Sequence, residues 1–211
     1  MTAANDDLQQ LTDLAASLRP RFAAAKPLPR LLFVTDPART PDPEGVAERL
    51  PAGSGVLYRH FGAVDAAECA GRLREITRRR GLILLIGADV ALAGDIDADG
   101  VHLPEGAVAD AVTLRQARPA WLLTAAAHSL EAAQRAARAG CDATLVSPVF
   151  PSHSPSAGPA MGVEAFTALV QAVAVPVYAL GGVNTRTAPQ LSGSGAQGLA
   201  MVEGLLGAVR T

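Results

Sequence analysis

"WLLTAAAHSLEAAQRAARAGCDATLVSPV", residues 121–149, has the pattern of a strand, a helix and a second strand. Its two apolar runs, 121–125 and 143–149, are hydrophobic on both faces, as expected for strands that are covered on both sides. The segment between them is rich in Ala and Arg, begins at a helix-capping residue, Ser129, and ends at Gly140, a typical helix stop. This order predicts two parallel strands joined by a crossover helix.

The same alternation repeats along the chain at a spacing of roughly 20 to 25 residues. We predict eight strands, at 31–35, 55–60, 82–86, 99–103, 121–125, 143–149, 175–181 and 196–201. Eight βα units in a chain of 211 residues predict an α/β protein, a single (β/α)8 TIM barrel. A doubly wound open sheet is the alternative, but the first βα turn, "VTDPARTPDPEG", lacks the Gly-rich phosphate-binding pattern of that fold.

The N-terminal region is predicted to add one helix to the barrel. Leucines recur at helical spacing through residues 5–19, and Asn5 and Asp6 are candidate caps for the first turn. We therefore expect an N-terminal helix and a Pro-rich connector at 1–29, followed by the barrel at 30–211.

Two further crossover helices are well marked. The segment 65–80 is amphipathic, with Asp65 and Glu68 spaced as a capping box and Arg78 to Arg80 at its negative end. A third helix is predicted at 162–173.

The composition excludes several classes of function. A net charge of -2 and an aromatic content of 4% give no reason to expect nucleic-acid binding. No apolar stretch approaches the roughly 18 residues of a membrane span, and the N-terminus is acidic and polar, unlike a signal peptide. We expect a cytoplasmic protein without membrane contact.

Lysine and cysteine usage restricts the chemistry. The only lysine is Lys26, in the Pro-rich connector, so a Schiff-base mechanism inside a barrel has no candidate nucleophile. Cys69 and Cys141 match no ligand or redox spacing, and we expect two buried free thiols.

Polar residues at the carboxyl ends of barrel strands converge on one mouth and are therefore candidate site residues. The residues that fall there are His60, His102, His128, His153, Arg59 and Glu105. Arg59 and His60 have opposite strand parity, so if Arg59 points into the barrel, His60 faces a helix. His102 is expected to be a hydrogen-bonded barrel residue, and His153 either a lid or a solvated loop residue.

The ends of the last two strands form the corner where barrels commonly bind phosphate. Gly181 and Gly182 would allow a phosphate to approach the backbone closely, as would the turn at Val202 and Glu203. The alternative is that the glycines only permit a tight turn.

Four segments together carry a family resemblance: "DGVHLPE", "AHSLEAAQRAARAGCDATLVSPVFPSHS", "VPVYALGGVNTR" and "GAQGLAMVEGL". In order and separation they resemble the thiamine-phosphate synthase/TenI superfamily, from about residue 30 to the end. The resemblance implies a (β/α)8 barrel whose ligands are a thiazole phosphate and, in the synthases, a pyrimidine pyrophosphate with Mg²⁺.

Compared residue by residue, the chain lacks most polar groups that the synthases place around the pyrophosphate. Where the synthases have a Gln, Arg and Lys along the end of strand two, this chain has Leu57, Arg59 and Phe61, so only the Arg remains. The Asn-Asp pair after strand three is matched by Gly87 and Ala88, and the Asp after strand four by Ala107. A Ser before the histidine is matched by Ala126, and a loop Lys by about Pro155. Losing one such electrostatic donor commonly costs about 3 kcal/mol of transition-state stabilisation. The pattern argues against pyrophosphate displacement.

The remaining residues resemble the TenI branch, whose activity is tautomerisation of a thiazole carboxylate phosphate with a histidine at the position of His128. We therefore expect His128 to be catalytic without a cofactor or metal, because an imidazole titrates near neutral pH. The other expected ligand contacts are Arg59, His102, Ser147 and His153 for the substrate and Gly181, Gly182, Val202 and Glu203 for the phosphate.

Three alternatives stay open. In the first, the chain is a thiamine-phosphate synthase that holds Mg²⁺ through a relocated Asp89, Asp95 or Glu105. In the second, it is a non-catalytic barrel that senses a thiamine precursor. A metal site built from His102, Glu105 and His128 is weaker, since no metal-binding spacing supports it. The expected partner is a small phosphorylated heterocycle, and a homodimer is left open.

Glu203 conflicts with the phosphate prediction. Where the family usually has a Ser beside the thiazole phosphate, this chain has a carboxylate. Two like charges about 4 Å apart repel by about 4 kcal/mol at an effective dielectric constant of about 20. Either Glu203 caps the last helix and turns away from the ligand, or the ligand is not the usual phosphate.

Overall fold

The computed structural model describes residues 3–152 and 158–205. Eight parallel strands close into a barrel in which each strand pairs with its neighbours in chain order and the last pairs with the first. The strands are β1 (Leu31–Val34), β2 (Gly55–Tyr58), β3 (Ile83–Gly87), β4 (Gly100–Leu103), β5 (Leu122–Ala127), β6 (Ala143–Val146), β7 (Val177–Ala179) and β8 (Gly198–Met201). The predicted (β/α)8 TIM barrel is confirmed, although most strands are shorter than predicted.

Helices cover the outside of the barrel. They are α1 (Ala3–Ser17), α2 (Pro43–Ala47), α3 (Ala66–Arg80), α4 (Val90–Asp95), α5 (Asp110–Ala117), α6 (Leu130–Arg138) and α7 (Gly162–Ala172). Between β7 and β8 the described connection contains only a short 3₁₀ helix, Ala188–Leu191. No helix among the described residues is both long enough and apolar enough to cross a membrane.

Side chains alternate strictly between the two faces of each strand. In β1, Phe33 packs in the large apolar layer shared with the helices, whereas Leu32 and Val34 belong to a smaller cluster inside the barrel. Leu57 of β2 lies in the same interior cluster. Extending this alternation past the strand ends places every second residue at the barrel mouth.

The opposite end of the barrel is closed by Tyr178. Its hydroxyl donates a hydrogen bond of 2.6 Å to the carbonyl oxygen of Pro29, and burial raises the pKa of the phenol well above its usual value. Lys26 lies at this end too, where its ammonium donates to the carbonyl oxygen of Trp121. The only lysine is thus far from the mouth, in agreement with the exclusion of Schiff-base chemistry.

Two predicted helix caps are wrong. Helix α1 begins at Ala3, so Asn5 and Asp6 lie within its first turn. Asp65 stands at the start of α3, but its side chain makes no capping hydrogen bond, and the predicted box with Glu68 does not form. The cap at Ser129 is confirmed, because its hydroxyl accepts from the backbone N–H of Ala132 at 3.1 Å.

The remaining helix and cysteine predictions are supported. Cys69 and Cys141 are both buried and free, and burial raises the pKa of each thiol. Helix α1 packs against β1 and β8 and buries Leu11 and Ala15 completely. Its apolar face therefore belongs to the barrel.

Candidate active site

A cavity of about 180 Å³ opens at the carboxyl ends of the strands. Its walls are the inward-facing residues of the strands and the loops above them, among them Arg39, Arg59, His102, His128 and Ser147. Pockets for drug-sized ligands commonly measure roughly 300 to 1,000 Å³, so this volume suits one small ring. We call it the first cavity.

His128 directly follows β5 and is held by a hydrogen bond from its ring. Nδ1 lies 2.7 Å from the carbonyl oxygen of Ser147 and 3.4 Å from the Ser147 hydroxyl. A carbonyl oxygen only accepts, so Nδ1 carries the proton and Nε2 is left as the basic nitrogen. The side chain lines the first cavity and is exposed there, so a ligand in the cavity can reach it.

Glu105 fixes the backbone of His128. One carboxylate oxygen accepts from the backbone N–H of His128 at 3.0 Å, and the other pairs with the Arg135 guanidinium at 3.0 Å. Both oxygens are thereby engaged, one just before α6 and the other by a residue of its last turn. Glu105 lies outside the first cavity and positions the residue that lines it.

His102 is a hydrogen-bonded barrel residue, as expected. Only 8% of it is exposed, and Nδ1 lies 3.0 Å from the Thr124 hydroxyl. Burial, reinforced by the nearby positive charge of Arg59, lowers the pKa of His102 to about 3. The imidazole is therefore neutral at physiological pH and contributes a polar but uncharged wall.

Arg59 projects inward and lines the first cavity. Its Nε donates to the carbonyl oxygen of Thr35 at 2.8 Å, and Nη2 lies 3.8 Å from Asp36 Oδ2. Burial lowers the pKa of Arg59; Asp36 opposes that shift and Arg39 adds to it. An arginine stays protonated nonetheless, so the cavity keeps a fixed positive charge.

Arg39 also lines this cavity and is not among the site residues predicted from the sequence. It lies in the long loop after β1, where Nη2 donates to Asp36 Oδ2 at 2.8 Å. Asp36 thus faces two guanidinium groups. Burial would raise its pKa, but the hydrogen bond and charge of Arg39 outweigh burial and lower it, with a smaller contribution from Arg59.

The residues predicted at the phosphate corner do not all line the first cavity. Gly181 and Val202 line the first cavity. Gly182 has φ +67°, and a Cβ there would stand 2.4 Å from the Pro151 carbonyl oxygen. Its own carbonyl oxygen accepts from the Thr187 hydroxyl at 2.8 Å. These contacts account for Gly182 as a turn residue and leave its phosphate role a prediction.

Glu203 faces Arg39. Its Oε2 atom lies 3.9 Å from Arg39 Nη1, and 49% of the side chain is exposed. The helix that it was expected to cap lies outside the described residues, as does His153 with its expected ligand contact.

A second cavity of about 540 Å³ lies beside the first and shares Arg59, His102 and Ala126 with it. Its other walls are mainly apolar, and Phe61, 71% exposed, lies under the Arg59 guanidinium at 5.2 Å. Phe61 and Ala88 both have positive φ, +48° and +63°. Such strained backbone is often found at functional sites.

His60 points away from the barrel axis, as its alternation with Arg59 along β2 predicts. Its Nε2 lies 3.4 Å from Asp89 Oδ2, at the start of α4, and its Nδ1 accepts from the backbone N–H of Gly62 at 3.1 Å. His60 lines the second cavity but not the first.

The residues present do not fit a protein-bound magnesium ion. Asp89 is the one carboxylate in the described lining of either cavity, and its oxygens already face the backbone N–H of Leu92 and the ring of His60. Asp95 and Glu105, the other relocated candidates, line neither cavity. Mg²⁺ prefers several oxygen ligands, usually one or two carboxylates with substrate phosphates.

The weaker hypothesis of a metal site at His102, Glu105 and His128 is wrong. Within residues 3–152 and 158–205, no three His, Cys, Asp or Glu side chains cluster closely enough to hold a metal ion. His102 is engaged by Thr124, and both oxygens of Glu105 are bound elsewhere.

The fold and the mouth define the class: a (β/α)8 barrel with its candidate ligand site at the carboxyl ends of the strands. Comparison with known proteins identifies the family within this class. The family model described as "Thiamine monophosphate synthase" (TMP-TENI) matches residues 31–205, and the chain belongs to this thiamine monophosphate synthase/TenI family.

Relatives agree with that membership. Proteins named thiamine-phosphate synthase from Chloroflexus aurantiacus and Pyrococcus furiosus are 34% and 28% identical to this chain, over 85% of it and 86% and 87% of their own lengths. The solved structure of thiamine phosphate pyrophosphorylase from Pyrococcus furiosus superposes with a TM-score of 0.72 at 26% identity, covering 92% of this chain and 90% of that one.

Proposed function

We propose that this barrel binds a small phosphorylated thiazole of thiamine biosynthesis and catalyses proton transfer on it, as a thiazole tautomerase. The observation that carries the proposal is the fixed tautomer of His128, whose basic Nε2 belongs to a side chain lining a cavity of about 180 Å³. Neither cavity is lined by residues that suit a magnesium ion, and tautomerisation needs none.

Each wall residue has a part in this reaction. Nε2 of His128 removes a proton from one ring position of the thiazole, and the resulting imidazolium returns it at another, so no proton is gained or lost. The Ser147 carbonyl stabilises that imidazolium through Nδ1–H. Arg59 binds the carboxylate, and neutral His102 closes the cavity without competing for it.

The test is direct isomerisation. The purified protein is mixed with the thiazole carboxylate phosphate tautomer, and conversion is followed by NMR against the His128→Asn variant. Conversion by the wild type and not by the variant supports the proposal. Tight binding without conversion contradicts it and identifies a precursor-sensing barrel instead.

Thiamine-phosphate synthesis is the second candidate, and the names of the relatives favour it over tautomerisation. One structural observation also supports it: two adjoining cavities share a wall, as a reaction between two substrates requires. Against it, the second cavity is lined by Phe61, Ala88 and Val90 and offers pyrophosphate one shared arginine.

Coupling the two precursors distinguishes the candidates. The protein is incubated with thiazole phosphate and pyrimidine pyrophosphate, with Mg²⁺ or with EDTA, and thiamine phosphate is quantified. Mg²⁺-dependent product at the rate of an authentic synthase assayed in parallel establishes the synthase and overturns the tautomerase. The variant Asp89→Asn then shows whether that carboxylate supplies the metal contact.

A further inference from the structure

Two guanidinium groups crowd one side of the first cavity. Arg39 and Arg59 both line it, and both face the carboxylate of Asp36, at 2.8 and 3.8 Å. Two positive charges face the carboxylate of Asp36, and the half-exposed carboxylate of Glu203 lies 3.9 Å from Arg39. When Glu203 turns away, the cluster has an excess positive charge. That excess favours an anion at this wall.

The hydrogen-bonding capacity of these arginines is not used up. Nε of Arg39 and Nη2 of Arg59 are buried and have no hydrogen-bond partner among the described residues. Buried donors are normally paired, so each such atom calls for an explanation. An oxyanion with several acceptor oxygens, reached after a small rotation of the guanidinium groups, would supply the missing partners.

Glu203 lies beside Arg39. The separation of 3.9 Å between Oε2 and Nη1 is too long for a hydrogen bond, and the carboxylate is about half exposed. Exposed ion pairs of this type are weak, because water screens the two charges. Glu203 therefore balances the charge of Arg39 without being firmly bound to it.

We propose that Arg39 is the phosphate-binding cation of this chain and that Glu203 is an internal counter-ion which the ligand's phosphate displaces. The proposal rests on the proposed function for the location of the ligand and adds which side chain holds its anion. It also resolves the conflict at Glu203, because the carboxylate moves away from the phosphate when the phosphate takes its place beside Arg39. Asp36 stays in position and holds the two arginines together.

The experiment measures binding of inorganic phosphate and of phenyl phosphate by calorimetry, with benzoate as the carboxylate arm. Glu203→Gln removes the competing charge and is expected to tighten phosphate binding about tenfold, equivalent to about 1.4 kcal/mol. Arg39→Gln is expected to weaken it by at least about tenfold. In the double variant, Glu203→Gln should no longer improve binding, because there is no guanidinium left to free.

Glu48→Gln is the matched control. Glu48 pairs with Arg79 at the far ends of α2 and α3, away from the mouth, so its removal changes the net charge equally without touching the cavity. Equal effects of Glu48→Gln and Glu203→Gln, or no effect of either, would overturn the proposal. Stronger binding of benzoate than of phenyl phosphate would overturn the phosphate assignment.

The calorimetric measurements use no thiazole and no turnover, so they are independent of the isomerisation assay. A wild-type protein that binds phosphate as described but does not isomerise the thiazole contradicts only the proposed function. A protein that isomerises the thiazole while Arg39→Gln leaves KM and phosphate affinity unchanged contradicts only the role of Arg39.

Discussion

Nδ1 of His128 lies 2.7 Å from the carbonyl oxygen of Ser147, and this contact determines which ring nitrogen is basic. The acceptor is a backbone atom, so no side-chain substitution at Ser147 removes it. Ser147 lies in the loop between β6 and α7. Its carbonyl oxygen orients the His128 ring, and the residue also lines the first cavity.

Replacing His128 with Asn keeps a polar side chain but removes the imidazole that is proposed to transfer the proton. We expect the isomerisation rate of His128→Asn to fall by roughly 10² to 10⁴, the usual contribution of general acid–base catalysis. Steady-state kinetics with the thiazole carboxylate phosphate measures this.

Ser129→Ala is the neighbouring control. It removes the helix cap on Ala132 and should cost about 1 kcal/mol of stability, yet keep most of the activity. If both variants lose activity in proportion to their stability, His128 has no chemical role.

Glu105 is expected to act through His128. Glu105→Ala frees the backbone N–H of His128 and the Arg135 side chain, so kcat should fall with little change in KM. Glu105→Gln keeps a carbonyl acceptor for that N–H and should restore most of kcat. Loss of Mg²⁺-dependent synthesis in Glu105→Gln would instead indicate that the carboxylate is a metal ligand.

Strand alternation explains why much of this site was predictable. Once β2 is recognised, Leu57 and Arg59 must share one face and His60 the other, and the structure agrees. Arg39 was not predictable in this way, since it lies in a loop that has no periodicity. Its role depends on Asp36 and on Glu203, which is brought beside it only when β8 pairs with β1.

Helix caps, by contrast, could not be predicted reliably from the sequence. The spacing of Asp65 and Glu68 fits a capping box, but the Asp65 backbone has φ -97° and ψ 14°, outside the extended conformation of a helix cap. Ser129, with φ -152° and ψ 165°, is extended and caps its helix. Residue type alone does not specify that backbone geometry.

The buried His102 is expected to make stability fall in acid. Its pKa is about 3 in the folded state and near 6.5 when unfolded, so the unfolded chain binds the extra proton first. The contribution is fully present above about pH 6.5 and is lost as the pH falls from there towards 3, at up to about 1.4 kcal/mol per pH unit.

Urea unfolding of the wild type and of His102→Asn between pH 7 and 4.5 checks this. The variant lacks the titrating ring, so its free energy of unfolding should fall less steeply with decreasing pH. The difference in slope should approach that of one proton, about 1.4 kcal/mol per pH unit. Parallel curves for the two proteins would show that His102 is protonated equally in both states. Other groups titrate in both proteins and cancel in the comparison.

The glycine turn after β7 offers a matched pair of substitutions. Gly182 and Gly53 both have positive φ, +67° and +81°, so Ala at either position meets the strain of the left-handed region, about 1 to 2 kcal/mol. At Gly53 a Cβ would meet nothing within 4 Å, whereas at Gly182 it would meet the Pro151 carbonyl oxygen at 2.4 Å. Gly182→Ala should therefore destabilise the fold by about 1 to 3 kcal/mol more than Gly53→Ala, as overpacking does.

Thermal and urea unfolding measure the difference. Equal losses for the two variants would mean that the loop after β6 moves aside, and the close approach of Gly182 to Pro151 would then not explain why glycine is needed there.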